Sequence, residues 1–349
     1  MARKSFGGTS HQRGEEKTNQ KVVFDMHQEL QQKICAQLSA SGIGDIQLVQ
    51  KLWGGYGELF RCALIGAKTK SIVVKYIRLS KVGDHPRGWN TKQSHERKLK
   101  SYQVETTWYN HLSKRCDDGC QIPRCLYQHK SDQEIVLVLE DLNEIGFPLV
   151  EHTIDWNRIE TVLRWLANFH ATFLGVSAAR LWEVGTYWHL ATRTDELNKL
   201  TDFPLKSAAQ EIDLRLSNAT HKTIVHGDAK LANFCFSRDG SAAAAVDFQY
   251  VGGGCGMKDV AYFIGSCLTE RDCEKQESRI LDFYFSCLSD ALNRQGKGVF
   301  IDSIEREWRG LYHYAWADFH RFLKGWSPKH WKINKYSERI TRQIVAQLS

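Results

Sequence analysis

The chain has few of the features that mark exported or membrane-spanning proteins. No apolar run in its 349 residues approaches the roughly 18 to 20 residues that cross a bilayer. The basic N-terminal stretch, residues 1–21, contains no apolar segment of the kind found in secretory signals, and its Gly, Ser, Gln and charged residues predict a flexible tail. We therefore expect a cytoplasmic protein that does not interact with membranes.

Clustered cysteines are also largely missing. The ten cysteines are scattered, and in the absence of a secretory signal we expect most of them to be reduced thiols in or near the core. The tightest group, Cys116, Cys120 and Cys125, does not have the C-x2-C spacing of strong zinc sites and has no second half-site. A metal at this group is therefore disfavoured.

The net charge of +7 comes mainly from the C-terminal residues 321–342. No recognition-helix, zinc-finger or RNP pattern accompanies this basic segment, so nucleic acid is not a predicted partner. A mildly basic enzyme can equally attract an anionic nucleotide. Nucleic-acid association stays an alternative, and a steep dependence of binding on salt would reveal it.

The order of local patterns predicts an α+β protein with two lobes. Residues 22–144 contain a helix, a strand–glycine turn–strand unit, further short strands and one long helix, which indicates a small, β-rich N-lobe. Helical periods dominate residues 145–349. The whole chain has only five prolines, which agrees with long helices in this part. We expect a hinge-like strand near residue 140 and a cleft between the two lobes.

Residues 224–234, IVHGDAKLANF, concentrate polar side chains behind a short apolar segment. Asp228 and Asn233 lie in this stretch, and Asp247 follows in AAAAVDFQY. Phosphoryl transfer requires a carboxylate beside the acceptor hydroxyl and oxygen ligands for magnesium. Asp228 suits the first task, because it can orient a hydroxyl and accept its proton. Asn233 and Asp247 supply hard oxygen ligands, which magnesium prefers.

The first lobe supplies the remaining parts that phosphoryl transfer needs. Lys75 lies in a predicted strand and can reach nucleotide phosphates, while Glu105 of the following helix can pair with it. Taken singly, Lys75 and Glu105 are typical of solvated surface residues, and His226, Gly227 and Asp228 are typical of a capped turn. Their joint occurrence in this order favours a catalytic site.

Several stretches in this order resemble a known superfamily. They are LWGGYGELFR, VVKY, SYQVETTWY, LVLEDL, LANFHATF, VHGDAKLANF and VDFQYVGGGCGMKDVAYF, between about residues 45 and 270. The series resembles the protein-kinase-like small-molecule kinases of the choline kinase and aminoglycoside phosphotransferase superfamily. VDFQ with the following KDVAYF most resembles the ecdysteroid-kinase-like (CHK) branch. Beyond residue 270 the resemblance is only to a general helical C-lobe.

The resemblance implies a two-lobed protein-kinase-like fold, ATP and Mg2+ as cofactors, and specific residue roles. Asp228 would be the catalytic base, with His226 shaping its loop and Lys230 near the transferred phosphoryl group. Asn233 and Asp247 would bind the metal. The nucleotide would be contacted by Lys75 with its partner Glu105, by the glycine turn at Gly55 and Gly57, and by the hinge backbone at Glu140, Asp141 and Leu142. Asp259 would brace the catalytic loop. Lys230 as a solvated lysine and Asp259 as a helix-start carboxylate are equally open alternatives.

The glycine turn GGYGELF departs from two familiar phosphate-binding patterns. It is neither the G-x-G-x-x-G of protein kinases nor a Walker loop ending in GK[ST]. Gly54, Gly55 and Gly57 can nevertheless bring backbone N–H groups close to phosphates. We expect this loop to cover the nucleotide, without assigning a particular amide.

The acceptor is predicted only as a class. Candidate aromatic residues for its site are Trp182, Tyr187, Trp188, Tyr314, Trp316 and Trp326. They could surround a quaternary ammonium or a flat alcohol, although aromatics at helical spacing are more often core residues. Asp318 and His320 are candidate hydrogen-bonding groups, and the net basic residues 300–349 disfavour a polycationic acceptor.

The sequence therefore predicts a kinase that phosphorylates a small-molecule alcohol, either choline-like, amino-alcohol or sterol-like. The main alternative is a catalytically idle, nucleotide-binding kinase-like module. Such a module is expected to lack one or more of the residues Lys75, Asp228, Asn233 and Asp247, and all four are present. A protein kinase is disfavoured because no APE-like segment or activation loop follows Asp247.

Overall fold

A computed structural model describes residues 28–79 and 92–349. The flexible tail predicted for residues 1–21 lies outside these described residues, as does the polar stretch around Pro86. Of the helix predicted for residues 22–41, the described part forms α1, Gln28–Gln37.

The N-terminal part contains an antiparallel sheet of five strands and one long helix, of which the sequence predicts the helix and four strands. The strands are β1 (Gly42–Lys51), β2 (Gly57–Ile65), β3 (Ser71–Arg78), β4 (Cys125–Lys130) and β5 (Glu134–Glu140), and the helix is α2 (Lys92–His111). Their spatial order is β1-β2-β3-β5-β4. Strand β5 is apolar throughout its interior because both of its faces are buried: Val136 and Val138 pack with α1, whereas Leu137 faces the larger core around α2.

Strand β4 was not predicted, since residues 116–133 have the composition of a loop. Its side chains are only partly buried, and it lies at the edge of the sheet beside β5. An edge strand of this kind has no strong apolar alternation, so the sequence signal for it is weak.

The C-terminal part is mainly helical and contains short strands, which confirms the predicted α+β fold class. The helices are α3 (Trp156–Thr172), α4 (Thr194–Lys199), α5 (Phe203–Ser217), α6 (Met257–Cys267), α7 (Glu270–Arg294), α8 (Ile301–Trp326) and α9 (Lys335–Leu348). The strands are β6 (Leu149–Val150), β7 (Thr223–Val225), β8 (Phe234–Phe236), β9 (Ala243–Ala245) and β10 (Gly252–Gly254). Helix α3 begins at an Asp155 cap and buries Ile159, Val162 and Leu166 in the main core.

Two small antiparallel sheets hold the polar loops that the sequence singled out. Strands β6, β8 and β9 form one sheet, and β7 pairs with β10 in the other. The loop 226–233 therefore starts at the end of β7, and the loop 246–251 connects β9 to β10. The backbone is closely packed here: a Cβ at Gly252 would lie 2.2 Å from the carbonyl oxygen of Trp182, so only glycine fits.

The segment between α2 and β4 is fastened to the C-terminal half. The carbonyl of Gln121 accepts hydrogen bonds from the Ala245 amide at 3.0 Å and the Trp165 indole at 2.9 Å. The lobe boundary near residue 144 stays a prediction.

Among the described residues, no helix is both long and apolar enough to cross a membrane.

Candidate active site

The loop after β7 holds Asp228 in a nearly complete network of hydrogen bonds. Its side chain is buried, and its Oδ2 atom accepts hydrogen bonds from the Lys230 ammonium at 2.9 Å and from the Asn233 amide at 3.1 Å. The other oxygen, Oδ1, has no hydrogen-bond partner within the described residues. Since buried polar atoms are nearly always paired, this oxygen is positioned to receive a donor from a ligand.

Asn233 is oriented by the same loop. Its Nδ2 group donates to the Asp228 carbonyl at 2.8 Å as well as to the Asp228 carboxylate. Both bonds use the amide nitrogen, so the amide oxygen points to the other side. That oxygen is the atom of Asn233 with which a metal would interact.

Lys230 is more than a solvated lysine. Burial opposes its charge, but Asp228 and Asp247 outweigh burial and raise the pKa of its ammonium. Lys230 therefore remains protonated beside Asp228, with 38% of its side chain exposed.

His226 and Asp259 fix the backbone that presents Asp228. The Asp259 carboxylate at the start of α6 accepts the amide N–H groups of His226 at 2.6 Å and Gly227 at 2.9 Å. His170 of α3 also contacts this carboxylate at 3.2 Å. The His226 ring lies 3.0 Å from the Val246 carbonyl and 3.2 Å from the Asp228 amide, so it joins the two polar loops. Burial lowers the pKa of His226, which keeps the ring neutral.

The first lobe contributes a buried ion pair, Lys75 with Glu105. The Lys75 ammonium of β3 donates to both Glu105 oxygens of α2, at 2.9 and 2.7 Å. It also contacts the Asp247 carboxylate at 3.2 Å, which joins the two lobes. Burial disfavours the ammonium charge, but Asp247 and Glu105 overcome that effect and raise the pKa of Lys75.

Asp247 lies in the loop between β9 and β10. Its backbone has φ of 70°, in the left-handed region that non-glycine residues seldom adopt. Burial opposes its charge, but Lys75, Lys230 and Lys98 together lower its pKa, so the carboxylate stays ionised. Lys75 and Gln249 both donate to Oδ1, and the Asp247 side chain is 32% exposed.

Two residues of this cluster were missed by sequence analysis. The Gln249 side chain donates to Asp247 at 2.6 Å and accepts from the Lys98 ammonium of α2 at 2.7 Å. Lys98 and its partner Gln249 are 151 positions apart in the sequence. No local pattern signals such a contact; a polar residue directly after the Asp247-Phe248 pair is the only hint.

The backbone of the glycine turn is tight at Gly55 and Gly57, and its position over a nucleotide stays a prediction. Gly55 has φ of 74°, and a Cβ at Gly57 would lie 1.9 Å from the Tyr76 carbonyl oxygen. Tyr56, between them, turns inward: its hydroxyl bonds His95 at 2.5 Å and its ring packs against Tyr102. These contacts hold the side chain of Tyr56 against α2.

The segment after β5 is anchored to the sheet by side chains. Asp141 is buried and accepts hydrogen bonds from Arg61 at 2.8 Å and Ser71 at 2.6 Å. Glu140 pairs with Arg124 at 2.6 Å. Both side chains are thus occupied by structural contacts, and a nucleotide contact through the backbone of residues 140–142 stays a prediction.

Most of the aromatic residues proposed for an acceptor site belong to the core. Trp188 is fully buried and donates its indole N–H to Asp318 at 3.0 Å, and Trp316 packs edge-on against Tyr336. Tyr187 differs, since burial and then the nearby charge of Asp228 raise the pKa of its hydroxyl. Tyr187 is therefore the candidate that lies beside the catalytic loop.

Asp318 and His320 are also core residues. Asp318 accepts from Arg321 at 2.6 Å as well as from Trp188, and His320 contacts Ser337 and Glu338. Neither side chain is placed to meet an acceptor. Tyr262 of α6, which the sequence analysis did not single out as a site residue, does face the site, since burial, Tyr187 and Asp228 raise the pKa of its hydroxyl.

The basic C-terminal segment is largely paired with acids from elsewhere in the chain, which the sequence did not predict. Lys324 and Arg342 both contact Asp202, at 2.6 and 2.5 Å, and Arg339 contacts Glu274 at 3.1 Å.

No group of three or more His, Cys, Asp or Glu side chains in residues 28–79 and 92–349 could hold a metal ion.

Comparisons with known proteins agree with this architecture. A profile of the ecdysteroid kinase-like family matches residues 67–180. Among solved structures, the ethanolamine kinase of Plasmodium vivax is 12% identical with a TM-score of 0.52, and the match covers 86% of this chain and 81% of that chain. A putative fructosamine-3-kinase of Haemophilus somnus 129PT is 12% identical with a TM-score of 0.50, covering 91% and 96%. The chain shares the fold of these two small-molecule kinases, in line with the predicted resemblance to the choline kinase and aminoglycoside phosphotransferase superfamily.

The predicted resemblance to that superfamily is thereby confirmed. The ecdysteroid kinase-like match includes Lys75, Glu105 and the segment 140–142. A second profile, described as uncharacterized oxidoreductase dhs-27, matches residues 194–312, which include Asp228, Asn233 and Asp247. No curated protein matches the chain by sequence.

Proposed function

We propose that this protein is an ATP- and Mg2+-dependent kinase that transfers the γ-phosphoryl group to the hydroxyl of a small-molecule alcohol. The observation that supports the proposal most is the convergence of Asp228, Asn233 and Asp247 with the Lys75–Glu105 pair in one cleft. Choline-like, amino-alcohol and sterol-like compounds are the acceptor classes that the sequence suggests.

Each residue of the cleft has a task that its contacts support. Asp228 receives the acceptor hydroxyl on Oδ1, accepts its proton, and so frees the oxygen to bond the γ-phosphorus as ADP leaves. Lys75, held extended by Glu105, binds the phosphates of the nucleotide. Lys230 offsets negative charge on the transferred group, and the orientation of Asp228 depends on Asp259 through the loop backbone.

The donor set in the cleft fits a magnesium ion. The Asn233 amide oxygen and Asp247 Oδ2 are hard oxygen atoms, and Asp247 stays ionised. These two residues would hold the metal together with phosphate oxygens and water, which is the way in which magnesium is usually bound by kinases. When bound, Mg2+ neutralises the phosphate oxygens of the nucleotide.

The oxidoreductase description of the second matching family does not suit the described residues as well. Dinucleotide-binding folds are built on parallel sheets. All strand pairs within the described sheets of this chain are antiparallel. The idle-module alternative is countered by the presence of every phosphoryl-transfer residue and by the unpaired Oδ1 of Asp228.

A transfer screen tests the proposal. The full chain is incubated with Mg·ATP and choline, ethanolamine, sterols, sugars, amino alcohols or aminoglycosides, while ADP release and product mass are measured. We expect a phosphorylated product whose formation falls at least about 100-fold in Asp228→Asn. Affinity for Mg·ATP should remain close to that of the wild type, because Asp228 acts on the acceptor.

Two results would contradict the proposal. Turnover of Asp228→Asn at the wild-type rate would exclude Asp228 as the base. Absence of Mg·ATP binding, measured by calorimetry on the wild-type chain, would favour a module that has lost nucleotide chemistry.

A further inference from the structure

Lys332 lies in the loop between α8 and α9, next to the catalytic loop. Its ammonium is 4.5 Å from the ring centre of Tyr262 and 5.5 Å from that of Phe319. The Tyr262 ring lies 5.6 Å from that of Tyr187, whose amide donates to the Gly227 carbonyl at 3.2 Å. The Lys332 charge thus lies against aromatic residues that contact the loop bearing Asp228.

The backbone of this loop is well fixed. The Lys332 amide donates to the His330 ring at 3.2 Å, and the Ile333 amide donates to the His330 carbonyl at 2.9 Å. Immediately afterwards, Asn334 and Ser337 form a capping box at the start of α9. Lys332 is therefore held in place before any ligand arrives, as a recognition residue should be.

The Lys332 charge is not balanced by a carboxylate of its own. The neighbouring Lys324 pairs with Asp202 and Glu338, whereas no carboxylate of residues 28–79 and 92–349 lies within 4.0 Å of the Lys332 ammonium. Burial lowers its pKa to about 8 even though Asp228 favours the charge. Asp228 pairs with Lys230 through Oδ2 at 2.9 Å, and its carboxylate lies beyond 4.0 Å from the Lys332 ammonium.

The sum of charges on this side of the cleft disfavours a cationic acceptor. The Lys230 ammonium is bonded to Asp228 at 2.9 Å, and Lys332 already occupies the face of Tyr262 that would otherwise attract a quaternary ammonium. A cationic acceptor would bring a like charge into a partly dry site, which is costly. An anionic group would supply the missing partner.

We propose that the acceptor alcohol carries an anionic group, such as a carboxylate, that pairs with Lys332 while its hydroxyl meets Oδ1 of Asp228. This inference rests on the proposed kinase function, and for its acceptor it favours an anionic alcohol over the cationic choline-like and amino-alcohol classes. Tyr262 and Phe319 contact the carbon skeleton between the two ends of the acceptor.

Matched acceptors test the inference. One set contains para-(hydroxymethyl)benzoate, the corresponding benzamide and the corresponding benzylamine; a short aliphatic set and a steroid set vary the skeleton in the same way. Turnover with Mg·ATP and binding in the presence of Mg·ADP are measured for each compound. We expect the carboxylate to exceed the amine by at least about tenfold in one or more sets.

Three variants identify the residue responsible. Lys332→Glu should reverse the order in favour of the amine, and Lys332→Met should remove most of the difference. Lys329→Glu makes the same change of charge at an exposed position of the same loop and should leave the order unchanged. Thermal unfolding of each variant shows whether its fold is retained.

The outcomes separate this inference from the function on which it rests. It is overturned if the amine or the amide is preferred, if Lys332→Glu leaves the order as it was, or if no carboxylate binds although Mg·ADP does. In the last case the nucleotide site of the proposed function still stands. If Mg·ATP itself does not bind, the proposed function fails, and this inference fails with it.

Discussion

The Lys75 ammonium is shared between two carboxylates, and this sharing predicts that mutations of the two acids are strongly coupled. Lys75 is 5% exposed and Glu105 is 1% exposed, whereas the Asp247 side chain is 32% exposed. In Glu105→Gln the ammonium still has Asp247 at 3.2 Å, and in Asp247→Asn it keeps both Glu105 oxygens. Only the double variant leaves a buried lysine without an acidic partner.

The expected magnitudes follow from burial. Glu105→Gln loses two charge-assisted hydrogen bonds but keeps the charge paired, so the free energy of unfolding should fall by about 2 kcal/mol. Asp247→Asn loses a longer, partly exposed contact, worth about 0.5 kcal/mol. The double variant should lose about 4 kcal/mol, since an unpaired buried charge is costly. The coupling energy of about 1.5 kcal/mol is typical of two groups that share one partner.

Urea denaturation of the nucleotide-free chain and of the three variants measures these values. Glu29→Gln is a matched control, because its partner Lys33 is 48% exposed; we expect a change within about 0.5 kcal/mol. Losses in the double variant that simply equal the sum of the single losses would refute the shared-lysine argument. Calorimetry on the same proteins should show weaker Mg·ATP binding in Asp247→Asn than in the wild type.

Two further predictions concern the brace of the catalytic loop and a buried histidine. Asp259→Asn removes the acceptor of one of the two amides, His226 or Gly227, so the free energy of unfolding should fall by about 1 to 3 kcal/mol. The same change should lower kcat and leave the affinity for Mg·ATP unchanged. An unchanged kcat would contradict this role. Burial lowers the pKa of His320 to about 4, so between pH 6.5 and pH 4 the unfolded chain binds a proton that the folded chain does not. Stability should therefore fall by about 3 kcal/mol as pH drops through that window, and His320→Gln should show a smaller slope in pH-dependent urea titrations.

The parts of the site that sequence analysis predicted are those whose spacing is short or whose environment is regular. Asp228 and Asn233 are five positions apart and meet within one loop, so their order alone indicated their proximity. Lys75 lies in an apolar strand and Glu105 in a helix, and the resemblance to known kinases paired them correctly across 30 positions. The fold class followed from the change from strand-like to helical periods.

The contacts that sequence analysis missed depend on distant segments meeting. Gln249 and Lys98 are joined across 151 positions, and Trp188 is hydrogen-bonded to Asp318 across 130. A tryptophan that lines a pocket and one whose indole N–H is satisfied by a buried carboxylate have the same local sequence signal. The aromatic residues were therefore proposed for the acceptor site, although most of them pack in the core.

Two incomplete interactions in the cleft together limit what the acceptor can be. Asp228 has one oxygen fully bonded and one without a partner, so a ligand must bring a donor there. Lys332, in contrast, has aromatic contacts but no carboxylate partner in the described part of the chain, so a negative group on a ligand would give it an ionic partner. Neither feature alone defines an acceptor, because any alcohol satisfies the first and any anion the second. An alcohol with an anionic end satisfies both in one molecule, and it does so without the like-charge contact that an amino alcohol would make.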